Sequence, residues 1–186
     1  NEVGREAIRK DKNFMDGDYL NHNVKPKSGL KTARMLGHIT YSSEDIMDQK
    51  FGRKFQDIKS KIEGTVDYEV ENYLQYKGEK FSDTFDANSY ILMTKAMDGY
   101  DASFSSNGSL EEVMKRIKAK LLVVGFDSDW LYPPKRSKEI QLAAMNVDVQ
   151  CSCVILKGEQ GHDSFLFASD RYVKVIKGFL DSKWIL

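Results

Sequence analysis

One apolar run decides much of what this chain can fold into. Ala119 to Gly125 is almost uninterrupted hydrophobic sequence, and Val147 to Leu156 reads as the next strand. Runs of this kind suit strands buried on both faces of a parallel sheet, where alternation of polar and apolar residues is lost. Between them Pro134 suits the first turn of a helix that continues to about Met145, and a closing helix is predicted from Asp163 to Leu180. Strand, helix, strand, helix is a right-handed crossover unit of an α/β sheet. Two strands cannot bury themselves, so the sheet needs strands that this sequence does not supply.

In an open parallel sheet, ligand chemistry gathers beyond the carboxyl ends of the strands. The first strand ends in Gly125-Phe126-Asp127-Ser128-Asp129 and the second leads to Gly161-His162-Asp163. An acid and a histidine on neighbouring loops are what a general base and its orienting carboxylate require. A lone histidine would more simply be a surface or helix-capping residue; the acid loop on the preceding strand favours the catalytic reading. Asp127 and Asp129 are both candidates for the orienter, and spacing does not choose between them. No nucleophile accompanies them. Cys151 and Cys153 point to one face of a strand, but no further Cys or His stands at ligand spacing, so packing is expected and no metal. His22 and His38 have no obvious partners.

The 186 residues carry 28 basic and 28 acidic side chains, so no polybasic face argues for nucleic acid or anionic lipid. With 41% hydrophobic and 30% charged residues the composition is that of a soluble globular protein. No run approaches membrane-spanning length and none reads as a signal peptide. Cys151 and Cys153 are too few and too close for a disulfide framework, so a reducing, cytoplasmic location is expected. The chain opens at Asn1, and Glu2 to Ile8 already reads as helix, so the expectation is a C-terminal part of something longer.

Upstream of the α/β unit the signals are helical. A helix is predicted over 2–11, then a polar stretch from Lys12 to Gly29 with several turn signals. Leu30, Ala33, Leu36 and Gly37 restore helical spacing, Ser42 or Ser43 caps a further helix, and Lys54 to Gly64 reads as a charged surface connection. Helices follow over Asp67 to Tyr76 and Asp86 to Met97, and Ser109 to Glu112 is a capping box. Arg34 and Tyr41 are seven residues apart, which returns a helix to nearly the same face. Both could then line one pocket, the arginine suiting a carboxylate; the plainer reading is a surface arginine and a packed tyrosine. The division by sequence is 1–29 as the end of a core portion with its connecting loop, 30–108 as a helical subdomain, and 109–186 as α/β core.

Several segments together resemble one family. Gly29-Leu30-Lys31-Thr32-Ala33-Arg34-Met35-Leu36-Gly37-His38-Ile39-Thr40-Tyr41, Lys50-Phe51-Gly52-Arg53, Phe85-Asp86-Ala87-Asn88-Ser89-Tyr90, the run from Val124 to Pro133 and Gly161-His162-Asp163 are similar to the signatures of homoserine O-acetyltransferases, in the family's order. The resemblance implies the C-terminal part of an α/β-hydrolase fold, its last two parallel strands with flanking helices, plus an inserted helical lid. It implies a Ser-Asp-His triad whose aspartate falls on Asp129 and whose histidine falls on His162. It further implies that Arg34 holds the carboxylate of homoserine, that Asp163 holds its amino group, and that Tyr41 lines the pocket. No Gly-x-Ser-x-Gly elbow is present, so the nucleophile is expected before Asn1 and these residues alone are expected to be inactive. The implied activity is ping-pong transfer of acetyl from acetyl-CoA to L-homoserine in methionine biosynthesis, by a homodimer joined through the lid, with no resident cofactor. Alternatives are a succinyl donor, a serine acceptor, or a non-catalytic module acting through the lid.

Overall fold

In a computed structural model of the protein, residues 1–55 and 68–182 are described. The chain forms helices α1 (Glu2–Arg9), α2 (Lys27–Tyr41), α3 (Glu44–Lys50), α4 (Glu69–Thr84), α5 (Ala87–Gly99) and α6 (Leu110–Met114). Strand β1 (Leu121–Phe126), helix α7 (Pro134–Met145), strand β2 (Cys151–Leu156) and helix α8 (Asp170–Asp181) complete it. They gather into two compact units, one of residues Asn1–Thr40 with Met47–Tyr100, the other of Tyr41–Ile46 with Asp101–Leu186. This line of division differs from the one drawn at 29/30 and 108/109, because the leading segment shares a core with the helices that follow it.

That first core consists of Ile8, Phe14, Tyr19, Leu30, Ala33 and Ala87, with Phe81, Tyr90 and Ile91 against it. A Cβ on Gly29 would stand 2.5 Å from the Ile8 Cα, so α1 and α2 cross with main chains in contact. The polar stretch before α2 is organised: Tyr19 is buried and its hydroxyl donates to the Asp86 carboxylate while accepting from the Asn88 N–H at 3.1 Å. Helix α2 begins at Lys27, three residues before the predicted start, because Asp11 supplies a cap from a distance. Its Oδ2 accepts the Gly29 N–H at 2.8 Å. The helix persists to Tyr41, carrying both Arg34 and Tyr41. Helix α4 starts at Glu69 and runs well past Tyr76; the connection read at Lys54 to Gly64 falls mostly outside the described residues.

In the second unit β1 and β2 pair in parallel, from Leu121 opposite Cys151 to Phe126 opposite Leu156. Met114, Ala143 and Ala144 form the core on one face, with Leu121, Ile140, Val149 and Cys151 beside them. Gly125 lets α7 approach the sheet, since a Cβ there would meet Ser137 Oγ at 2.8 Å and Ile155 Cδ1 at 2.9 Å. Strand β2 starts at Cys151 rather than Val147. The N–H groups of Val147 and Val149 instead donate to the Ala144 carbonyl, and Asp148 turns the chain at φ 60°. The predicted closing helix is two pieces, a 3-10 segment Gly161–Leu166 and then α8. Extended Phe167 separates them, and Ser169 caps α8 by accepting the Tyr172 N–H at 3.3 Å.

His38, on α2, does have a partner: its Nδ1 lies 3.2 Å from the Tyr73 hydroxyl, while its buried Nε2 has none among the described residues. Burial, then the positive charges of Arg34, Lys77 and Lys50, lower its pKa to about 4. An unfolded chain would bind the proton near pH 6.5, so the folded state loses stability as pH falls from about 6.5 towards 4. His38→Gln should remove that part of the pH dependence of urea unfolding; an unchanged profile would show that His38 is not its source.

The second unit shows much apolar surface. Leu142, Met145, Phe165, Leu166, Phe167 and Val173 are exposed, and α8 buries none of its residues. The 186-residue chain alone should therefore bind a hydrophobic dye and melt broadly. A sharp cooperative transition without dye binding would contradict this.

Candidate active site

The register of β1 and β2 sets Phe126 beside Leu156, so the loops leaving both strands start level with one another. The Asp127 N–H continues the ladder to the Leu156 carbonyl at 3.0 Å. The chain then turns, and the Asp129 N–H donates to the Phe126 carbonyl at 3.2 Å. The second loop meets this one through main-chain donors. Gly158 N–H donates to Asp127 Oδ1 at 2.8 Å and Gly161 N–H to Ser128 Oγ at 3.2 Å.

These bonds divide the work of the two acids. Asp127 braces the second loop. Asp129, 7% exposed, points at the histidine: His162 Nδ1 and Asp129 Oδ2 are 3.0 Å apart. A carboxylate only accepts, so this bond requires the proton on Nδ1 and leaves Nε2 as the basic nitrogen. The other carboxylate oxygen, Oδ1, accepts the N–H groups of Leu131 at 3.0 Å and Tyr132 at 2.8 Å. Asp129 is thus held by its own loop before it holds His162.

Three aromatic rings surround the imidazole. Tyr132 lies 5.1 Å away between ring centroids, Tyr41 5.5 Å and Phe165 5.6 Å. The rings are tilted or edge-on to the imidazole, and Tyr132 and Phe165 are themselves exposed. Gly161 has φ 67°, and a Cβ there would stand 2.6 Å from the Ser43 N and the Tyr41 O, so no side chain fits.

The structure therefore brings Asp129, His162 and Tyr41 together, and Asp163 follows His162 half-buried in the same 3-10 segment. Arg34 belongs to the other compact unit, where its guanidinium carbon sits 5.1 Å from the Phe81 ring centroid. Tyr132, Phe165 and Ser128 were not singled out by sequence reasoning. Only Ser128 carried a signal, standing between two candidate acids. Cys151 and Cys153 are half-buried on β2, and among the described residues no group of three or more His, Cys, Asp or Glu gathers as for a metal. No helix among the described residues is long and apolar enough to cross a membrane.

No protein-family model matches the chain. It is similar to homoserine O-succinyltransferase of Marinomonas sp., 44% identical over 180 residues, which cover 97% of this chain and 47% of that protein. The enzyme of the same name from Acinetobacter baumannii is 47% identical over 180 residues, again 97% of this chain and 47% of the relative. The chain thus spans about half the length of the curated relatives it matches. Among solved structures it resembles homoserine O-acetyltransferase from Bacillus anthracis, with a TM-score of 0.86 at 20% identity, over 98% of this chain and 48% of that one. Esterase E22 superposes with a TM-score of 0.82 at 22% identity, over 97% and 49% of the two chains. The fold they share is that of the α/β-hydrolases.

The double role of Asp129 separates two substitutions in the full-length protein. In Asp129→Asn the amide oxygen can keep both loop N–H groups while its NH2 faces His162, so the imidazole should switch to the Nε2–H tautomer with little loss of stability. Asp129→Ala strands both N–H groups and should cost about 2 kcal/mol. Nitrogen chemical shifts of His162 and thermal melts read the two effects; an Nδ1–H imidazole in Asp129→Asn would refute the assignment.

Proposed function

We propose that this chain is the C-terminal part of a homoserine O-acyltransferase and that His162 is its general base, oriented by Asp129. The observation that carries the reading is the 3.0 Å bond between His162 Nδ1 and a carboxylate already fixed by two backbone N–H groups, which reserves Nε2 for proton transfer. Similarity at 42% to 47% identity to proteins named homoserine O-succinyltransferase supports acyl transfer with homoserine as acceptor.

In this reading a serine from sequence outside this chain is the nucleophile. Nε2 of His162 takes its proton as Oγ adds to the thioester carbonyl of an acyl-CoA. Collapse of the adduct breaks the C–S bond, and the thiolate leaves with the proton from Nε2. The homoserine hydroxyl then gives its proton to Nε2 and attacks the acyl-serine; the serine oxygen departs and regains a proton from the same nitrogen. Asp129 balances the imidazolium at both stages. Arg34 would bind the carboxylate of homoserine and Asp163 its amino group, with Tyr41 in the pocket wall. Residues 30–108 would form the lid and a homodimer contact, for which the exposed Leu92, Met93 and Met97 of α5 supply apolar surface. No resident cofactor or metal enters this chemistry, and a cytoplasmic location accords with it.

The names of these relatives favour succinyl-CoA as donor. The acetyl donor implied by the motif resemblance is the second reading. With the full-length enzyme and both donors in competition, succinylhomoserine should predominate; acetylhomoserine as main product would select the second reading. His162→Ala should abolish either product. Arg34→Ala should raise the KM for homoserine at least about tenfold, as loss of a charge-assisted hydrogen bond predicts, with little change for acyl-CoA. Unchanged homoserine saturation would remove Arg34 from the site.

A further inference from the structure

We infer that Ser43 is a positioning residue for His162, bracketing the two loops of the site through a single buried hydroxyl and the main chain beside it. The inference rests on the reading of His162 as the base. The short segment Tyr41–Ile46, between the end of α2 and the body of α3, belongs to the same compact unit as both loops. Ser43 is 5% exposed, and its Oγ is used twice. It accepts the Ile46 N–H at 3.1 Å, capping α3, and it donates to the carbonyl of Glu159, three residues before His162.

The neighbouring contacts converge on the same place. Gly161, immediately before the histidine, packs against the main chain of Tyr41, Ser42 and Ser43 with no room for a Cβ. Trp130, immediately after Asp129, donates its indole N–H to the Ser42 carbonyl at 3.3 Å. The ring of Tyr41 lies 5.5 Å from that of His162. Three successive residues therefore touch the imidazole, the acid loop and the histidine loop in turn.

A hydroxyl is what this position requires. Alanine neither donates nor accepts; threonine does both; the thiol of cysteine does both weakly. Without the bond to Glu159, the histidine loop loses its hold on the segment against which Gly161 is pressed. A displacement of about 1 Å at a catalytic group costs about a hundredfold in rate.

The test uses the full-length enzyme and reads kcat, KM and the downfield proton resonance of His162 Nδ1–H. Ser43→Ala should lower kcat about ten- to a hundredfold, leave both KM values within about twofold, and broaden or abolish the resonance. Ser43→Thr should restore kcat and the resonance. Ser109→Ala, which removes a comparable cap by deleting the acceptor of the Glu112 N–H, should lower the melting temperature and change neither readout. Should Ser43→Ala fail to fold, Ser43→Cys takes its place, with a smaller loss in the same direction. Wild-type kcat and resonance in the folded variant would overturn the inference. So would a Ser43→Thr as impaired as Ser43→Ala, or an equal loss of kcat in Ser109→Ala. Retained transfer in His162→Ala would overturn the functional reading alone, while loss of the resonance in Ser43→Ala would still support the positioning role.

Discussion

Parallel register is the constraint on which the site depends. Phe126 and Leu156 end their strands opposite one another. Because parallel strands run the same way, both loops leave on the same edge with their starts about one strand spacing apart. The Asp127 N–H bond to Leu156 extends the ladder one step beyond the sheet, so the acid loop departs already tied to its neighbour. A slip of one residue would turn one loop over relative to the other, since side chains alternate across a strand. Gly125 and Ile155 hold against it, because the space that Gly125 leaves is filled by the Ile155 side chain and by Ser137 of α7.

From that edge the polar groups form a hierarchy. The main chain fixes Asp129, and Asp129 fixes one nitrogen of His162, which leaves the other as the basic one. Asp127 and Ser128 brace the partner loop, and Ser43 donates to the Glu159 carbonyl of that same loop. Apart from the Ser43 bond to the Glu159 carbonyl, each acceptor in this set is a side chain and nearly every donor is a backbone N–H, an arrangement that consumes little side-chain entropy. The three aromatic rings fill the space around the imidazole with groups that make no competing hydrogen bonds to the Asp129 carboxylate.

How far this was legible in the sequence varied with the range of the interaction. Strand β1 and α7 announced themselves through a run of apolar residues and a proline at a helix start, which are local signals. The α/β-hydrolase architecture followed from motifs in order. The choice between Asp127 and Asp129 was not in the spacing, since both acids sit on one short loop; the motif resemblance pointed to Asp129, and the bond to His162 points the same way. The start of α2 was misplaced because Asp11, far back along the chain, caps it. Val147 and Val149 looked like strand because they are β-branched, yet their N–H groups belong to the end of α7. The closing helix looked continuous because Phe165, Leu166 and Phe167 keep an apolar pattern across the break, though Ser169 before Asp170 is a readable helix start. Ser43 was visible only as a possible cap. Its second bond, to Glu159, links residues more than a hundred positions apart.

The backbone donors that assemble the site make its integrity observable without any substrate. The amides of Leu131 and Tyr132 are held by Asp129, that of Gly158 by Asp127 and that of Gly161 by Ser128. Each lies in a loop, where amides ordinarily exchange with solvent quickly, and each is retarded only while its side-chain acceptor stays in place. Deuterium uptake at Gly158 and Gly161 is therefore a clock on how often the two loops part company, and uptake at Leu131 and Tyr132 on how often the acid loop itself opens.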